Sequence, residues 1–155
     1  MEDGDAYNID RVGHRRWILN PSMKKTGFGY VDGYSAMYAF DGSFGETSYY
    51  GVAWPAQNMP IEYFSNTTPW SVSMGQYVDP SKVKVVLTRK KDGKKWTFSK
   101  KKSNGYFNVE NSNYGQTGCI IFRPKKITYK SGDVFKVKIT GLNETVSYEV
   151  QFFKL

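Results

Sequence analysis

From residue 69 onward, apolar and polar positions alternate in short bursts. Trp70, Val72 and Met74 fall on one face of an extended segment. Val83, Val85 and Leu87 do the same in the next, as do Phe135, Val137 and Ile139 further on. Val146, Tyr148, Val150 and Phe152 complete the series. The pattern predicts strands over residues 70–74, 82–89, 94–99, 105–110, 117–123, 133–140 and 145–153. Asp92-Gly93 marks a hairpin between two of them, and Gly132-Asp133 and Gly141-Leu142-Asn143 mark further turns. Short strands with turn signals about every 8–12 residues predict a two-sheet sandwich of immunoglobulin-like type.

The first part of the chain reads differently. Residues 1–8 have the character of a loop, and Asp10 is placed to cap a short helix through RVGHRRWILN. Asn20-Pro21 ends that helix, because the residue before proline avoids helical backbone angles. Ile9, Val12, Arg16 and Leu19 form one stripe, with His14, Trp17 and Ile18 on a neighbouring one. Asp32-Gly33 then joins two aromatic-rich stretches into a hairpin, where Gly27 and Gly29 suggest close packing against another backbone. The segment GVAWPAQNMPIEYF has two prolines and no period, so residues 46–68 read as an ordered connection packed by its own rings. The expected fold class is therefore mainly β. A short helix and hairpin occupy residues 1–45, and a seven-stranded sandwich occupies residues 69–155.

Composition narrows the picture. Aromatic residues make up 17% of the 155, enough burial to argue against disorder. No apolar run approaches the roughly 20 residues needed to cross a bilayer as a helix. The polar start MEDGDAYNID does not have the character of a signal peptide. Cys119 is the single cysteine, which excludes an internal disulfide and a four-cysteine zinc site. Its setting in GCIIF reads as a buried small hydrophobe. The net charge of +8 attracts polyanions such as nucleic acid, wall teichoic acids, acidic polysaccharide or anionic lipid, without choosing among them.

The charge has a focus. Arg89, Lys90, Lys91, Lys94, Lys95, Lys100, Lys101 and Lys102 flank Trp96 on the Asp92-Gly93 hairpin. Together they are a candidate surface for polyanion or carbohydrate, in which Trp96 would stack on a sugar or base. The competing reading is an edge hairpin protected from aggregation by lysine. Tyr49, Tyr50, Trp54, Tyr63 and Phe64 would line a carbohydrate groove or fill the seam between two modules. Arg15 and Arg16 would bind an anion or pair with acidic groups. His14 is the single histidine. Alone it reads as structural, with an acid/base or ligand role as the alternative. Glu46 and Glu62 are carboxylates that the fold would have to bring to it.

Gly13, His14, Arg15, Ile18, Leu19, Asn20 and Pro21, followed by Gly27 and Gly29, resemble a segment of bacterial CAP domains. This is the superfamily of cysteine-rich secretory, antigen 5 and pathogenesis-related 1 proteins. The resemblance covers about residues 1–45, and the VAWPAQNMPIEYF and PWSVSM stretches resemble the β extension of some members. It implies that His14 matches one histidine of a cavity that holds two histidines and two acidic residues and, in some members, a divalent metal such as zinc. The other histidine and at least one acid would lie on earlier helices, from an upstream half or a second chain. The expectation is thus a secreted or cell-surface module, non-catalytic, that binds or scaffolds through a basic β surface. The alternatives are a fragment of a CAP-type metal-dependent hydrolase, with His14 as metal ligand or catalytic group, and nucleic-acid binding through the lysine hairpin.

Overall fold

The computed structural model describes residues 3–41, 43 and 51–155. Alternation of inward and outward side chains builds two sheets around one core. The larger sheet has the strand order β4-β11-β10-β6-β7, and the smaller one β3-β5-β9-β8. Their ranges are β3 Val52–Trp54, β4 Asn58–Pro60, β5 Trp70–Ser73, β6 Lys84–Arg89, β7 Lys95–Phe98, β8 Gly105–Glu110, β9 Cys119–Pro124, β10 Val134–Thr140 and β11 Val146–Phe153. Seven of these lie where the alternation predicts strands. The other two, β3 and β4, come from the segment expected to be a connection, so the sandwich has nine strands among the described residues and not seven. β3 extends the smaller sheet beside β5, and β4 runs parallel to β11 at the edge of the larger one.

The core lies between the sheets. Val85, Leu87, Phe98, Phe135, Val137, Ile139, Val150 and Phe152 face Trp70, Val72, Ile120 and Phe122, all buried. Trp70 stacks on Phe122 with ring centroids 5.8 Å apart and donates its indole N–H to the Tyr129 hydroxyl at 2.8 Å. Each such large side chain contributes on the order of 2 kcal/mol of hydrophobic stabilisation.

The N-terminal residues dock on the outer face of the smaller sheet. The helix α1 spans only Gly13–Ile18. Val12 precedes it with a left-handed φ of 45° and is fully buried against Cys119 and Ile121. Asp10 does not cap it, because this left-handed residue separates Asp10 from the first turn. Instead Asn8 Oδ1 accepts from the Gly13 amide at 3.3 Å, and Asp3 Oδ2 accepts from the Arg15 amide at 3.0 Å. Next comes the hairpin of β1, Gly27–Val31, and β2, Tyr34–Tyr38. Asp32 and Gly33 both have positive φ, as a two-residue primed turn requires. Phe28, Tyr30, Tyr34 and Tyr38 of this hairpin are exposed. A Cβ built on Gly27 or Gly29 would meet nothing within 4 Å, so the expected close backbone packing is not made among the described residues.

Candidate functional site

Two constellations were expected to carry chemistry. The first surrounds His14. Its Nδ1 lies 3.1 Å from Asp3 Oδ1 and 2.7 Å from Asn8 Nδ2, while its side chain is 56% exposed. Nδ1 donates to Asp3 in one tautomer of the ring and accepts from Asn8 Nδ2 in the other. Asp3 is almost wholly buried and serves several partners. It also accepts from Arg15 Nε at 3.1 Å and from the Asn8 amide. Arg15 continues inward, donating to the Pro69 carbonyl at 2.6 Å, with its guanidinium 5.7 Å from the centre of the Trp54 ring. Arg16 is 2% exposed and donates to the carbonyls of Ser112 and Gln116 at 2.6 and 2.5 Å. Burial lowers the pKa of both arginines, and Asp3 partly offsets this at Arg15. These two arginines fasten the N-terminal residues to the sheet and are not a free anion site.

Among the described residues, the donor set at His14 does not make a divalent-metal site. Among the described residues no three His, Cys, Asp or Glu side chains come together. The one carboxylate at the imidazole among the described residues, that of Asp3, is already engaged by Arg15 and Asn8. Glu62 accepts from the Leu155 amide at 3.3 Å, while Glu46 lies outside the described residues.

The second constellation is the β6–β7 hairpin, where the structure divides the predicted cations into two groups. Arg89 pairs with Asp92 at 2.5 Å, Lys90 with Glu149 at 3.0 Å and Lys91 with Asp133 at 2.5 Å. Hydrogen bonds from Arg89 hold the Asp92 carboxyl at about 2, well below its ordinary value, and the same contact raises the pKa of Arg89. Lys94, Lys95, Lys100, Lys101 and Lys102 are exposed and form no ion pair among the described residues. Trp96 departs from the expectation. It is 3% exposed, its indole N–H donates to the Lys125 carbonyl at 3.0 Å, and Lys94 Nζ lies 4.9 Å from its ring centre. An inward position on β7 makes Trp96 part of the core, so it is not a platform for a sugar or base.

Beside β7 runs an open groove of about 380 Å³, lined by Lys94, Lys95, Ser103, Asn104, Lys125 and Lys126. The sequence reading missed Lys125 and Lys126. They follow β9 directly and reach the groove because the end of β9 pairs with the start of β8, Gly105 opposite Pro124. The Pro-Lys-Lys step after an apolar strand was the available signal. The described members of the aromatic set do not form one groove. Phe64 is buried in the core, Tyr63 is 67% exposed, Trp54 packs against Arg15, and Tyr49 and Tyr50 lie outside the described residues. Cys119 is buried, and burial pushes its thiol pKa up. No helix among the described residues is long and apolar enough to cross a membrane.

No protein-family model matches the chain, and no curated protein matches it.

Proposed function

We propose that this chain is an extracellular, non-catalytic binding or scaffold module that contacts cell-wall or matrix polyanions through its exposed lysines. The observation that carries this reading is the division of charge on the β6–β7 hairpin. Three cations are spent on ion pairs within the fold, while Lys94, Lys95 and Lys100–Lys102 remain exposed, and Lys94 and Lys95 line a groove that adds Lys125 and Lys126. Cations that serve only stability gain by pairing; a row left unpaired at a groove is suited to an outside anion. Retention on immobilised wall polysaccharide is expected to fall steeply with added salt. Replacing Lys94, Lys95 and Lys100–Lys102 by serine should move elution to clearly lower salt. Unchanged elution would remove the hairpin from the function. Nucleic-acid binding is the less supported variant, because Trp96, the ring that would stack on a base, is buried.

The pair formed by His14 and Asp3, with the imidazole half in solvent, favours a second reading. In it the chain is part of a CAP-type hydrolase whose remaining cavity residues come from elsewhere. Zinc titration of the chain and of His14→Ala tests this. Equally weak binding by both would remove a metal role for His14.

A further inference from the structure

The two sheets differ in what covers them. The outer face of the smaller sheet carries the docked N-terminal residues, whereas the outer face of the larger sheet is open among the described residues. Register fixes which side chains share that open face. Lys136 lies opposite Glu149 on one side and Thr88 on the other, and Thr88 lies opposite Lys95. Lys138 lies opposite Ser147 and Val86, and Lys84 lies opposite Thr140. The face therefore presents Lys84, Lys95, Lys136 and Lys138, all exposed, with hydroxyls between them. Glu149 is the one carboxylate among the outward positions of these strands, and Lys90 already holds it at 3.0 Å. Lys95 belongs both to this face and to the groove beyond β7, so the two cationic regions are continuous.

Building on the polyanion reading above, we propose that the binding surface extends across this face. Its ligand would be a flexible, linear phosphodiester-type polymer recognised by its charges alone. Three features support this. Residues two apart on a strand stand roughly 6–7 Å apart on one face, and neighbouring strands about 4.8 Å apart. Lys136, Lys138 and Lys95 thus form a spread lattice of point charges suited to an extended chain and not to one small anion. Lysine, as a compact point charge, serves phosphate without the planar pairing that arginine brings to it. No aromatic ring other than the edge residue Phe153 lies among the outward positions of these strands, so the face has no platform for bases or sugar rings. Protein interfaces, by contrast, gather aromatic residues and avoid lysine at their centres.

The test uses the whole chain and three probes: long-chain inorganic polyphosphate, an oligothymidylate, and an abasic deoxyribose-phosphate oligomer of the same length. Affinity is measured across salt for the parent, for Lys136→Thr/Lys138→Thr, and for Lys24→Thr/Lys25→Thr as a control of equal charge loss on the N-terminal residues. Each lost phosphate contact should flatten the plot of log affinity against log salt by about 0.7. The sheet double variant should therefore be shallower by about 1.4, with the control unchanged and the two oligomers bound alike. Equal flattening by both variants would reduce the effect to net charge and overturn the proposal. So would an unchanged slope for the sheet variant while Lys100→Ser/Lys101→Ser/Lys102→Ser weakens binding, an outcome that leaves the hairpin reading standing. Clear preference for the oligothymidylate over its abasic counterpart would refute recognition by charge alone. A parent that shows no salt-dependent binding to any probe or to wall polysaccharide would fail the hairpin reading itself.

Discussion

Tyr148 sits on β11 with its ring against the core, and its hydroxyl is buried with no hydrogen-bond partner among the described residues. Desolvation pushes that phenol well above its ordinary pKa, so it stays neutral. An unpaired buried hydroxyl costs about 1–3 kcal/mol. Tyr148→Phe keeps the ring and removes the cost, so its denaturant midpoint should match or exceed the parent's. A fall of more than about 1 kcal/mol would mean that the hydroxyl has a partner. Arg16 is a buried cation whose Nη atoms donate to main-chain carbonyls, while its Nε has no hydrogen-bond partner among the described residues. Arg16→Ala should destabilise by roughly 2–3 kcal/mol, because it strands those acceptors. It should also loosen the cover over Cys119, which a thiol reagent would then label faster than in the parent. Unaltered labelling and stability would show that the N-terminal residues do not depend on this clip.

At the level of elements, the turn between β6 and β7 is organised by Asp92. Its carboxyl accepts from Arg89 and from the Lys94 amide, which lowers its pKa from an ordinary 3.8 to about 2. A lowered carboxylate pKa means that its stabilising effect is complete above the ordinary value and is lost as pH falls through about 2. Acid titration followed at the Lys94 amide should show a transition near that lower value. Asp92→Asn should abolish it. Several of the seven longer strands were legible from their alternation, and β9 from an apolar run bounded by turn signals. β3 and β4 were not, since strands of three residues beside prolines carry no visible period and their partners are distant in sequence. The helix cap was misread for a related reason. Asp10 is the local acid, but Asp3 and Asn8 reach the first turn once Val12 reverses the chain. The hairpin lysines were visible as a run. Their division into paired and free was not, because Glu149 and Asp133 lie more than forty residues away in sequence. Trp96 was misjudged as exposed, although its two-residue spacing from Phe98 places both rings on one face of β7.

On the scale of the whole molecule, the sandwich is one-sided. Among the described residues, the smaller sheet is covered on both faces, with β9 buried along nearly its full length, while the larger sheet is bare on its outer surface. Two packed sheets about 10 Å apart therefore stand between His14 and the lysine lattice. A molecule resting on an anionic thread by its lysines would turn the imidazole outward, away from the thread. The β-sandwich would act as a spacer with a fixed front and back, and whatever the amino-terminal region carries would be displayed to the surrounding medium.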